Sequence, residues 1–181
     1  MEYYKNGYQY KIVDGNVVSI KKISKKKFFN KNKVVSKKNN NPNIYYPKPV
    51  HGWGVDGSTL APNPGLSEYR CLDLSSGDVI FNTKLGVATN NISEFLAIVQ
   101  ALIHSETIGI SVDVYSDSMT AIAWVKNKRY NTMLNRDDNK HVFELMDECI
   151  TWLQSHHRHN PVHLWHTKLW GQIPADFGRA H

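Results

Sequence analysis

Four acids stand where chemistry could be done: Asp56 in "GWGVDGST", Glu94 in "VATNNISEFLAIVQAL", Asp117 in "VDVYSDSMTAI" and Asp176 in "QIPADFGRA". Asp56 ends an apolar stretch, Glu94 and Asp176 open helical patterns, and Asp117 lies at a strand-to-helix junction. Each has a local explanation. Asp56-Gly57 is a turn signal, Asp117 a helix cap, and Asp176 a favourable anion at a helix start. With Asn91 as N-cap, Glu94 falls at the third helical position, where it reaches back to free backbone N–H groups. Gathered in one place, however, the four would repel. At 4 Å each pair costs about 4 kcal/mol at an effective dielectric of 20, several times the worth of a cap. Such a cluster needs a cation, and hard oxygen ligands select Mg²⁺ or Mn²⁺. Two such ions about 3.5–4 Å apart can activate a water and stabilise the leaving oxygen of a phosphodiester.

The elements around the acids bring them together. Strands are expected at about 51–57, 66–74 and 78–85, joined by short turns into an antiparallel meander. A helix at 91–105 follows, with Ile92, Phe95, Leu96, Val99, Leu102 and Ile103 on its apolar face. Next come a strand at about 110–116, a helix at about 118–127, a long helix at about 138–155, a strand at about 162–168 and a short helix from about 174. The long helix carries Val142, Leu145, Met146, Cys149 and Leu153 on one stripe. Helix and strand alternating after the meander require parallel crossovers, so the fold is α/β with a mixed sheet. In such sheets strand ends and helix starts collect at one edge, where ligands bind.

The charge is unevenly spread. The chain has 181 residues and a formal net charge of +6, but residues 1–50 hold 12 lysines against Glu2 and Asp14, and the rest is acidic. Residues 1–23 alternate well enough for a small hairpin around Asp14-Gly15-Asn16, and the Lys/Asn-rich residues 24–50 read as a mobile linker. Residues 51–181 form the main domain. A basic arm on an acidic body implies a polyanionic partner. No apolar run approaches membrane-spanning length and no signal peptide is visible, so a cytoplasmic protein with no membrane association is expected. Cys71 and Cys149 lack metal-ligand spacing and read as reduced core thiols.

"VDGST", "ATNNISE" and "YSDS" in this order, with a late Asp at a helix start, resemble the type 1 ribonuclease H family over about residues 51–181. Thr89-Asn90-Asn91-x-x-Glu94 is the most specific part. The resemblance implies a ribonuclease H-like fold, a five-stranded mixed sheet flanked by helices, here with a basic N-terminal extension. It implies cleavage of the RNA strand of RNA/DNA hybrids with two Mg²⁺ ions, Mn²⁺ being the alternative, leaving 5′-phosphate and 3′-hydroxyl ends. By motif match, Asp56, Glu94, Asp117 and Asp176 would be the metal-binding catalytic carboxylates, and Ser58, Asn90 and Asn91 would touch the minor-groove face of the hybrid.

Other groups are less specific. Lys126, Lys128 and Arg129 in "VKNKRYNTMLNR" could track DNA-strand phosphates or form a solvated surface. His166, ten residues before Asp176, matches the family's mobile proton-transferring histidine only loosely, because it falls in or at the end of a strand; an ordinary edge or core histidine is the other reading. "SHHRHN" at 155–160 reads as a solvated helix end rather than a zinc site. Trp165 and Trp170 could stack on nucleotides, though strand packing is the commoner fate of such residues. The lysines of the arm could add salt-sensitive contact with nucleic acid, and the protein is taken as a monomer. Two competing readings keep the fold: a DNA-cleaving nuclease of the same superfamily, and a binding module without catalysis. Four retained acids disfavour the second, because binding alone does not favour carboxylates facing phosphates.

Overall fold

The computed structural model describes residues 47–178 in full and, before them, three strands: β1 (Glu2–Lys5), β2 (Tyr8–Val13) and β3 (Asn16–Lys22). These pair antiparallel in the order β1-β2-β3. The expected linker falls almost wholly on residues outside the described ones. The contacts divide the chain into Met1–Tyr45 and Tyr46–His181.

The second unit is a five-stranded sheet in the order β6-β5-β4-β7-β8. Strands β4 (Trp53–Thr59), β5 (Gly65–Asp73) and β6 (Val79–Ala88) form the antiparallel meander. Strands β7 (Val114–Ser116) and β8 (Val162–Leu164) add to it in parallel. Position in the sheet explains each strand's sequence. Central β4 is buried along nearly its whole length, β5 shows in-out alternation, and edge strand β6 buries only Leu85 and Ala88.

Helix α1 (Asn90–Thr107) lies across β4 and β5 and is covered in turn by α2 (Met119–Asn127) and α3 (Lys140–Ser155). Ile92 through Val99 are therefore buried without a break, where the sequence promised only one apolar face. From α3, Val142, Phe143, Met146, Cys149 and Leu153 are buried, while Leu145 is half-buried. Both cysteines are free thiols in this core. Among the described residues, no helix is long and apolar enough to cross a membrane.

The structure corrects three expected elements. Strand β7 starts at Val114 rather than near 110, because Ile110 is engaged with the end of α1: its N–H donates to the Ser105 carbonyl at 2.9 Å. The last strand stops at Leu164, and Thr167–Trp170 form the short helix α4. Buried Trp165 stabilises this reversal by donating its indole N–H to the Gly171 carbonyl at 2.8 Å. No helix opens at 174 within the described residues. The Asp176 N–H closes a turn on the Ile173 carbonyl, and Gly178 takes a left-handed φ of 66° that helix cannot accommodate.

Candidate active site

Strand register sets the first pair of acids. In the parallel ladder between β4 and β7, Trp53 pairs with Val114 and Gly54 with Tyr115, and the same offset places Asp56 level with Asp117. Glu94 comes from α1, which crosses β4 at Gly57. A Cβ on Gly57 would lie 2.2 Å from the Glu94 backbone nitrogen and 2.4 Å from the Ser93 carbonyl carbon. Only glycine permits this approach, because backbone atoms cannot rotate out of the way. One carboxylate oxygen each from Asp56, Glu94 and Asp117 consequently lie within 4.8 Å of one another.

The local explanations of these acids fail one by one. Asp56 and Gly57 lie inside β4, three residues before its end, and form no turn. The N-cap of α1 is Thr89, not Asn91, so Glu94 is the fifth helical residue and lies beyond capping reach. Helix α1 instead gains its first-turn partner from a distant loop, where Asn63 Oδ1 accepts from the Asn90 N–H at 3.3 Å. Helix α2 is capped by Ser118, whose hydroxyl accepts from the Ala121 N–H at 3.2 Å, which leaves Asp117 without that task. Asp176 precedes no helix among the described residues.

Electrostatics mark the cluster as costly. Burial raises the carboxyl of Asp56 from its ordinary 3.8 to about 7, with Asp117 and Asp176 adding to the rise, while the N–H groups of Phe177 and Gly57 oppose it. Glu94 is likewise pushed well up, first by burial and then by Asp56 and Asp117. Its Oε2 is buried with no hydrogen-bond partner. A buried carboxylate oxygen without a partner normally costs several kcal/mol, on the order of a lost charged hydrogen bond or more. Three hard oxygen donors, one of them orphaned, fit a divalent cation of the Mg²⁺ or Mn²⁺ type.

The remaining candidates are dispersed. Asp176 is half-buried and close enough to raise Asp56, but it is not within the group of three, and its Oδ1 accepts from the Gly178 N–H at 2.6 Å. His166 is exposed, precedes α4 rather than lying in a strand, and sets its ring 5.0 Å from that of Trp170. It does not join the carboxylates. Ser58 is buried in β4 beyond Asp56. Asn90 and Asn91 form the first two positions of α1. Asn91 is exposed in a cleft of about 360 Å³ shared with Asn63, Pro64, Thr89 and residues 131–134. Lys126 and Arg129 are exposed at the end of α2, whereas the Lys128 ammonium lies 2.8 Å from Nδ1 of His157. In the His-rich segment, His156 stacks on Trp152 at the end of α3, and no His there belongs to a metal-ligating group of three among the described residues. Trp165 is in the core.

Arg70 has no motif to announce it. It lies opposite Asp56 on β5 and holds the backbone of residues 175 and 176 from the other end of the domain. A sequence separation above one hundred residues leaves no local signature.

The RNase H family model matches residues 52–169. The chain belongs to the RNase H family. The matched span includes Asp56, Glu94 and Asp117 and ends before Asp176. Similar solved structures include the N-terminal RNase H domain of Rv2228c from Mycobacterium tuberculosis, fused to maltose-binding protein. It is 20% identical, with 63% of this chain and 86% of that one covered at a TM-score of 0.42. RNase H1 of the halophilic archaeon Halobacterium salinarum is 17% identical, with 62% and 83% covered at a TM-score of 0.42. LC11-RNase H1 in complex with RNA/DNA hybrid is 19% identical, with 63% and 82% covered at a TM-score of 0.38. The RNase H fold and the acid cluster are consistent with a hydrolytic nuclease of the RNase H superfamily.

Proposed function

We propose that the chain is a metal-dependent endoribonuclease that hydrolyses the RNA strand of RNA/DNA hybrids, with Asp56, Glu94, Asp117 and Asp176 as its catalytic carboxylates. The single observation that carries this reading is the convergence of three buried or half-buried carboxylates, with Glu94 Oε2 left without a partner. Membership of the RNase H family and the T-N-N-x-x-E motif support RNA/DNA hybrid as the substrate.

Bound Mg²⁺ or Mn²⁺, two ions in this reading, would supply the charge that activates water and stabilises the departing 3′ oxygen. Asp56, Glu94 and Asp117 would hold the cations, with Asp176 completing the set. The Gly57 N–H favours the ionised form of both Asp56 and Glu94, opposing the effect of burial. Burial beside other acids favours the protonated forms of Asp56 and Glu94, so a cation would compete with protons for these carboxylates. Asn90, Asn91 and Ser58 are the residues proposed to meet the minor-groove face, where 2′-hydroxyls distinguish RNA from DNA. Lys126, Lys128 and Arg129 are proposed to meet phosphates of the DNA strand.

The test compares matched RNA/DNA hybrid, double-stranded RNA and double-stranded DNA, with Mg²⁺, with Mn²⁺ and with chelator, in the wild type and Asp117→Asn. Hybrid-only cleavage that chelator and the substitution abolish is the expected result. Cleavage of double-stranded DNA would move the protein to the DNA-cutting branch of the superfamily, and binding without cleavage under either metal would make it a binding module.

A further inference from the structure

We propose that Arg70 is a positioning residue that clamps the segment bearing Asp176 onto the acid cluster. Three contacts converge on three consecutive residues. Arg70 Nε donates to the Ala175 carbonyl at 2.6 Å, Nη2 donates to the Asp176 carbonyl, and the guanidinium carbon lies 4.2 Å above the Phe177 ring centre. The Phe177 N–H then bonds to the Asp56 carboxyl. Because Asp56 pairs with Arg70 across β4 and β5, one rung of the sheet holds both ends of this loop of contacts.

The chain needs such a clamp at this place. Asp56, Glu94 and Asp117 are fixed by a ladder, a helix and a strand end, but residues 171–178 contain no helix or strand. Their side-chain anchors are Ile173 and Ala175, both buried, and these flank Asp176 on one side only. Beyond it, the guanidinium and its ring partner supply the hold. A planar guanidinium carries donors in a fixed fork, so it can engage two successive carbonyls while its face lies on an aromatic ring; a lysine ammonium cannot do all three. Arg70 lies within the span matched by the family model, whereas the segment it holds lies beyond it.

This inference rests on the proposed role of Asp176, and the test separates the two. Arg70→Met keeps an unbranched apolar stem and removes the donors, Arg70→Lys keeps the charge, and Phe177→Leu removes the ring but not the N–H. In the full-length, metal-free protein, hydrogen exchange of residues 171–178 should quicken in Arg70→Met while exchange in residues 92–102 stays as in the wild type. Calorimetric Mg²⁺ affinity and kcat on hybrid should both fall about 10–100-fold, the usual loss when a partner that orients a metal ligand is removed. KM should be unchanged. Arg70→Lys and Phe177→Leu should show smaller changes in the same direction, and they decide the matter if Arg70→Met does not fold.

Wild-type exchange and Mg²⁺ affinity in Arg70→Met, or in both milder variants should it fail to fold, would overturn the clamp. Asp176→Asn serves as the reference. If it loses activity and metal affinity while the Arg70 variants do not, Arg70 alone is refuted. If Asp176→Asn behaves as the wild type, the role of Asp176 falls and the clamp with it. Adding Arg70→Met to Asp176→Asn should cost nothing further in Mg²⁺ affinity.

Discussion

Asp56→Asn should stabilise the metal-free protein at high pH. Folding raises the Asp56 carboxyl from 3.8 to about 7, so the folded state binds its proton more tightly than the unfolded chain does. The sign follows: little is lost below the unfolded value, stability falls as pH rises between 3.8 and about 7, and the penalty is complete above that. At 1.36 kcal/mol per pH unit the gap amounts to about 4 kcal/mol. An asparagine of nearly the same shape does not ionise and escapes this cost. In chelator, the variant should therefore exceed the wild type by on the order of 2–4 kcal/mol at pH 8, and the difference should close towards pH 4. Urea unfolding at several pH values reads it directly. Mg²⁺ should narrow the difference at pH 8, because the wild type gains binding free energy that the variant lacks. A wild type that is the more stable protein in chelator at pH 8, or a difference that does not vary with pH, would refute the electrostatic reasoning.

Further outcomes follow from other parts of the site. Gly57→Ala forces a methyl against the backbone of Ser93 and Glu94, so thermal unfolding should show a loss of about 1–3 kcal/mol or more, with weakened Mg²⁺ binding. Ser118→Ala removes the cap of α2 and should cost about 1 kcal/mol in urea unfolding while leaving kcat on hybrid nearly intact. Asp117→Asn should do the reverse, abolishing cleavage in a protein whose circular dichroism is unchanged. Residues 1–46 hold 11 lysines against Glu2 and Asp14, so their removal should flatten the salt dependence of hybrid binding without changing kcat; an unchanged salt slope would exclude the arm as a binding element.

Periodicity made most of the fold legible. Alternation in "GLSEYRCLD" and helical spacing in "EFLAIVQAL" each write their partner surface into a few neighbouring residues, because burial on one side of a strand or helix recurs every two or every three to four positions. Elements defined by competition between distant partners were not legible. Strand β7 is shorter than its apolar run because Ile110 is engaged by the end of α1, and no helix opens at 174 among the described residues because the Asp176 N–H bonds back to Ile173 and the Gly178 N–H to the Asp176 side chain. The cap of α1 moved to Thr89, with Asn63 from another loop supporting the next residue.

The acids divide along the same line. Their identity and order along the chain were determined by the sequence alone, since a carboxylate after an apolar strand or early in an amphipathic helix is a local pattern. Whether each was a cap or a ligand could not be decided locally, because both readings use the same residue at the same place. Tertiary structure removed the cap reading by assigning the cap of α2 to Ser118 and moving the start of α1 away from Glu94, and it brought carboxylate oxygens of Asp56, Glu94 and Asp117 within 4.8 Å of one another. Arg70 and the bare Cα of Gly57 acquire their meaning only there, since a hydrogen bond across more than one hundred residues and a missing methyl at a crossing are properties of packing and leave no trace in spacing.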